Sequence, residues 1–339
     1  DRASKYFADL GQVWMRTGWG PQEIEIRFRS GPEIGKDHGD QNGFTLRAFG
    51  QDILPELTVP SVGLSQLQYD LYGWYWGSPG HNVIIVDGEN ISDAASYAAT
   101  RQISVLGGIQ VDQNEWNGRQ QGRQYQAEWL APGDRTKGRI MGVLFSGSYS
   151  YVAGEAHRSY VRAIPLDWWM RQLMLIHESD GAPPYVVVHD DVRTPAGRLS
   201  RIDWQLHASG EPVLVDGNRI RMTRSNVALV TTVLLPAPAE IEVKRTPGPG
   251  PGTPFVQVRP QEKQSLVRYL AVLQPLRGTA ETRLEMQRIE GENADGLIVR
   301  PSGDERIVDT AIFRQSIDVA PAAAGGVTTD GLAAFVRSV

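Results

Sequence analysis

Six histidines punctuate this sequence: His38, His81, His157, His177, His189 and His207. Two of them stand where chemistry is plausible. His38 lies in a polar, glycine-rich turn at 35–43 that feeds a strand-like run at 44–49. His81 lies in Gly80, His81, Asn82 and Val83, at the mouth of an apolar strand. Between them, Glu56 closes a short strand-like piece at 50–56. Two imidazoles and one carboxylate at strand ends suit Zn²⁺ or a similar ion. Two ligand sets compete. One is His38, Asp40 and His81, the facial triad of non-haem iron enzymes. Its histidines are close in sequence for that use, and no arginine follows His81 before Arg101 to receive a carboxylate co-substrate. The other is His38, Glu56 and His81, which requires three adjacent strands to bring their ends together. Spacing alone leaves both open.

The remaining polar clusters have plainer readings. His157, His189 and His207 read as structural, and His189 with Asp190 and Asp191 reads as a turn cap in preference to a second metal site. The aromatic segment at 67–76 packs a sandwich edge or, through Trp74, Tyr75 and Trp76, offers flat faces to sugar rings. Arg119, Arg123, Arg135, Lys137 and Arg139 could meet a polyanion, but Glu115, Glu128 and Asp134 are interleaved with them, as on a solvated hairpin.

The elements that must position these groups are strands almost throughout. Residues 23–29 alternate strictly between polar and apolar, the mark of a half-buried strand. Further strand-like runs cover 44–49, 83–86, 140–145, 185–189, 228–235, 255–258 and 266–273, with turn signals between strands such as Ser-Gly-Pro at 30–32 and Asp-Gly at 87–88, 180–181 and 216–217. Only 93–100 and 168–176 could be helical, and the second reads equally well as a strand. The expectation is an all-β protein, a large antiparallel multi-stranded β-sandwich of the supersandwich type. A main sandwich is expected over 1–245 and a Pro/Gly loop or linker over 246–254. Residues 255–339 would then be the remaining strands or a small C-terminal β domain.

Composition narrows the function. The chain has 339 residues, 41% of them apolar, which is ample for a core. The absence of cysteine excludes disulfides, thiolate metal sites and thiol catalysis. Lys and Arg number 34 against 39 Asp and Glu, a net charge of −5, which argues against nucleic acid as a partner. No apolar run approaches the roughly 20 residues that cross a bilayer, so no membrane partner is expected. The chain opens on Asp1 without a methionine, so a preceding segment is expected to have been removed or left out.

Several of these pieces together resemble the β-sandwich region of the heparinase II/III-like polysaccharide lyases. They are the run from Gly11 through Trp14, Arg16 and Trp19; His38 and Asp40 leading into Phe44; the segment 50–56; and Gly80, His81 and Asn82. Downstream, 185–191 and 203–207 resemble later strands of that region. The resemblance implies a zinc site of His38, Glu56 and His81 beside a substrate cleft, with Glu56 where aspartate is common. It implies β-elimination from a uronate-containing acidic polysaccharide. A cation neutralises the uronate, a base takes the C5 proton, and an acid protonates the leaving oxygen. Lys36, where relatives carry a histidine, is the expected neutraliser, and Tyr69 the phenol nearest the cleft. The family also implies an N-terminal α/α toroid as partner domain, with this chain beginning where the toroid ends, and a secreted or periplasmic location. The alternatives are a non-catalytic carbohydrate-binding sandwich and a uronate epimerase of related architecture.

Overall fold

The computed structural model describes residues 3–32, 38–60, 71, 74–88, 138–160, 166–179, 181–210, 212–248, 250–281, 284–302, 306–319 and 321–339. The alternating N-terminal segment folds as an antiparallel meander of β1 (Lys5–Phe7), β2 (Gln12–Arg16), β3 (Ile24–Arg29), β4 (Gly43–Ala48) and β5 (Gln51–Leu54), paired in that order. Val13, Met15, Ile24, Ile26 and Phe28 are buried, whereas Trp14, Glu25 and Arg27 on the other face are not. That follows from the two-residue period of a strand.

The chain then passes through β6 (Ile84–Val86), β7 (Arg139–Phe145), β8 (Tyr149–Glu155), β9 (Trp168–Ile176), β10 (Tyr185–Arg193) and β11 (Ile202–His207). It continues through β12 (Val213–Asp216), β13 (Arg219–Arg224), β14 (Val227–Leu235), β15 (Ala239–Arg245), β16 (Pro254–Pro260) and β17 (Leu266–Arg277). The C-terminal strands are β18 (Leu284–Gly291), β19 (Ala294–Pro301), β20 (Val308–Arg314), β21 (Ala322–Ala324), β22 (Val327–Thr329) and β23 (Ala333–Ser338). An eight-stranded sheet, β12-β13-β14-β17-β10-β9-β8-β7, forms the middle layer. The N-terminal meander and a four-stranded sheet, β15-β16-β11-β6, pack on its front, and the sheet β18-β19-β20-β23 packs on its back.

This layering explains the apolar runs. Leu173, Leu175, Val186 and Val188 face the front core with Trp204 and Val256. Met174, Ile176 and Val187 face the back core with Leu297 and Phe313. With both faces covered, β9 and β10 lose the polar alternation of β3. The stretch at 168–176, open between helix and strand in the sequence, is a strand. His189, Asp190 and Asp191 lie inside β10 and are fully buried, which corrects the turn-cap reading. The Pro/Gly run connects the antiparallel partners β15 and β16 as a hairpin loop, closed by the Thr246 N–H donating to the Thr253 carbonyl at 2.9 Å. β17 after it is central in the middle sheet, between β14 and β10. No helix among the described residues is long and apolar enough to cross a membrane.

Candidate metal centre

Antiparallel pairing sets which strand ends meet. The start of β4 and the end of β5 fall at one edge of the meander, because the two strands run in opposite directions. His38 therefore precedes β4, and Glu56 follows β5, at the same edge. A turn from Asp40 to Gly43 carries the chain into β4, closed by the Gly43 N–H donating to the Asp40 carbonyl at 2.7 Å. Asn42 in this turn adopts φ +57°, a left-handed conformation that asparagine tolerates. Gly43 is required by closeness, since a Cβ there would lie 2.6 Å from the Asp40 oxygen.

His81 arrives from the segment before β6. A short turn at Ser78–Gly80 brings Gly80 so near the Tyr75 carbonyl that a Cβ would sit 2.2 Å from its oxygen. Asn82 then fixes the register of the neighbouring elements. Its amide nitrogen donates to the Phe44 carbonyl at 2.8 Å, and its amide oxygen accepts from the His207 N–H at 2.7 Å. The Gly39 N–H donates to the Trp76 carbonyl at 2.7 Å, so the His38 loop is tied to the aromatic segment as well.

The result brings His38, Glu56 and His81 together, with one ligand atom of each within 4.8 Å of the others. Glu56 Oε1 lies 3.2 Å from His38 Nδ1 and 3.0 Å from His81 Nδ1. Ligand atoms about 2.05 Å from a tetrahedral zinc stand about 3.3 Å apart, so these separations fit. His81 is buried, and neither of its ring nitrogens makes an aligned hydrogen bond among the described residues. A buried imidazole in that condition fits a metal ligand. Asp40, of the competing set, is turned instead to an ion pair with Arg29.

Charge within the cluster is coupled. Burial disfavours the Glu56 carboxylate, but the His81 charge and the close approach of both imidazoles outweigh it, and its pKa falls well below the usual carboxylate range. Burial would lower the His81 pKa, yet the facing Glu56 raises it. Burial raises that of Asp40 against the opposing pull of Arg29. Behind them His207 is pushed down to about 3 by burial and by the His81 charge, so it is neutral at ordinary pH. The carbonyls of Pro79 and His81 approach its ring without the alignment of a full hydrogen bond. His207 packs against Phe255 at 5.0 Å and Trp74 at 5.9 Å between ring centroids.

The aromatic segment divides. Trp76 stacks on His38, with centroids 5.6 Å apart and planes inclined by 17°. Trp74 faces inward to Tyr75, His207 and Phe255. Tyr75 is buried and donates its hydroxyl to the Pro247 carbonyl at 3.0 Å, so its ring has no face left for a sugar. That corrects the expectation of a three-residue platform. Lys36 and Tyr69, and the cationic stretch at 114–139 up to Lys137, lie outside the described residues. Two neighbours of the centre were not connected to it from the sequence: His207, which reads there as structural, and the buried Arg171 of β9. Each is a polar residue inside an otherwise apolar strand, which was the available signal.

Comparison with known proteins adds the following. The family model described as heparinase II/III-like, C-terminal, matches residues 1–248. No curated protein matches the sequence. Among solved structures, a heparinase III matches with a TM-score of 0.64 at 13% identity, over 93% of this chain and 42% of that one. The heparan sulfate lyase HepC from Pedobacter heparinus matches with a TM-score of 0.64 at 13% identity, over 92% and 42%. Another heparinase III structure gives 0.57 at 13% identity, over 100% and 43%. The chain thus spans about two fifths of the length of the structures it resembles.

Proposed function

Because the chain belongs to the heparinase II/III-like, C-terminal family, we propose that it is the β-sandwich portion of a polysaccharide lyase acting on a uronate-containing acidic polysaccharide. The observation that carries this reading is the cluster of His38, Glu56 and His81, braced at one edge of the meander with Trp76 stacked on His38. The donor set, two imidazoles and one carboxylate, suits Zn²⁺. When bound, the ion would fix three loop ends beside the cleft and add positive charge next to a uronate.

The chain's own residues supply part of the chemistry. Lys36, two residues before His38, neutralises the uronate carboxylate and so acidifies the C5 proton. Tyr69 takes or returns a proton at the reacting centre. Trp76, stacked on His38, receives a sugar ring at the edge of the cluster. A further domain, expected to be an α/α toroid, supplies the opposite wall of the cleft and the remaining acid–base groups. A location outside the cytoplasm accords with a polymeric substrate.

The test is the ultraviolet absorbance of the unsaturated uronate product, followed for heparan sulfate, alginate and hyaluronan. The chain is assayed alone and joined to its N-terminal domain. Product formed by the joined protein and abolished by Lys36→Ala supports the reading. Saturable binding of these polymers with no product from either form would identify a binding module instead. Exchange of the C5 proton with solvent, without cleavage, would identify an epimerase.

A further inference from the structure

Arg171 is the largest charged side chain that is fully buried among the described residues, and it lies in β9, in the middle sheet. Its Nε donates to Asp190 of β10 at 2.9 and 3.1 Å, and the same carboxylate accepts from Trp169 Nε1 at 2.7 Å. Its Nη1 leaves the middle sheet altogether. It donates to the backbone carbonyl of Asn42 at 2.9 Å and to that of Asn82 at 2.6 Å. The Phe44 and Trp169 rings flank the guanidinium, each at 5.4 Å. Asn42 belongs to the turn that follows His38, and Asn82 is the residue after His81. One nitrogen of one guanidinium therefore clamps the backbones of both histidine-bearing segments, while the other end of the group is held by a buried carboxylate.

We propose that Arg171 is the positioning residue of the metal centre: it sets the distance between the His38 and His81 loops from the layer behind them. The inference rests on the reading of His38, Glu56 and His81 as a metal centre. A planar fork is what the position demands. Lysine places one compact ammonium and cannot reach the Asp190 carboxylate and two carbonyls at once. Side chains that orient ligands without touching the ion typically account for 10- to 100-fold in metal affinity, and the clamp acts on two ligands together.

The experiment measures zinc affinity by competition with a chromophoric chelator, alongside the melting temperature of the metal-free chain. Four proteins are compared: the wild type, Arg171→Lys, Arg171→Met combined with Asp190→Asn, and Arg337→Gln. The double variant removes the buried pair as a unit, so that no unpaired charge prevents folding. Arg337 pairs with Asp309 in the back sheet at 2.6 and 2.7 Å, and reports the effect of lost stability alone. Both Arg171 variants are expected to bind zinc at least about tenfold more weakly, while Arg337→Gln keeps the wild-type affinity despite a lower melting temperature. Wild-type affinity in a folded Arg171 variant would overturn the proposal. So would a loss in Arg337→Gln that tracks its melting temperature. A wild-type chain that binds no zinc would instead overturn the centre itself, and the positioning role with it.

Discussion

Asn82 shows how single side chains build the site. It spans the layer between β4 and β11 with one donated and one accepted hydrogen bond, both buried. Asn82→Ala leaves the Phe44 carbonyl and the His207 N–H without those partners. At about 1–3 kcal/mol for each buried group left unsatisfied, the expected loss is about 2–6 kcal/mol in denaturant unfolding. A loss below about 1 kcal/mol would mean that water replaces the amide. Tyr75→Phe is the contrasting case, since it deletes only the bond to the Pro247 carbonyl. Its expected cost is about 1 kcal/mol. At this scale the sequence was partly legible. Residue type and the strand-end setting pointed to His38 and His81 with either Asp40 or Glu56, and the family resemblance singled out Glu56. Arg171 and His207 were not legible as parts of the site, because a polar residue inside an apolar run names its partner only once the order of the sheets is known.

At the scale of elements, the back sheet is pinned to the middle one through a buried ionic cluster. Asp295 of β19 meets His189 of β10 at 3.3 Å, Arg268 of β17 at 3.5 Å and Arg288 of β18 at 3.6 Å. Burial would raise the Asp295 pKa, but hydrogen bonding from His189 and the charges of His189 and Arg268 lower it on balance. A carboxyl whose pKa is depressed by folding stabilises the native state fully above its unfolded value of about 4. That contribution is lost as pH falls through the lower native value. Unfolding midpoints are therefore expected to decline with acidity below about pH 4, and Asp295→Asn should show a shallower decline over that range. At neutral pH the variant should be less stable by about 1–3 kcal/mol, the usual range for hydrogen bonds to a charged group, because Arg268 and Arg288 keep access to water. An unchanged acid slope in Asp295→Asn would remove this contact from the account. The sequence reading placed strands over 185–189 and 266–273 and the structure has β10 and β17 there, both longer. It could not show that His189 and Asp191 sit mid-strand, since a charged strand interior reads as a strand end until a covering sheet supplies partners.

The described residues form three sheet layers, and the middle layer depends on both of its neighbours. Removing 284–339 would expose Met174, Ile176, Val187, Leu270 and Val272 as one apolar face. A patch of that kind drives association in water. The truncated chain 1–281 is accordingly expected to be insoluble or to form large aggregates by light scattering; a soluble, cooperatively folding 1–281 would show that the back sheet is dispensable. The family match ends at residue 248, yet β16 and β17 beyond it are integral to the front and middle sheets. The Pro/Gly run announced a turn in the sequence without revealing what it joined, because composition specifies local backbone and leaves pairing open.

The claim on which the account turns is that His38, Glu56 and His81 form one metal centre. Titration of the metal-free chain with zinc, against Glu56→Gln and His81→Ala, measures it directly. One equivalent bound by the wild type, with affinity lowered by about tenfold or more in each variant, is the expected result. Equal binding by all three proteins, or none by the wild type, would contradict it.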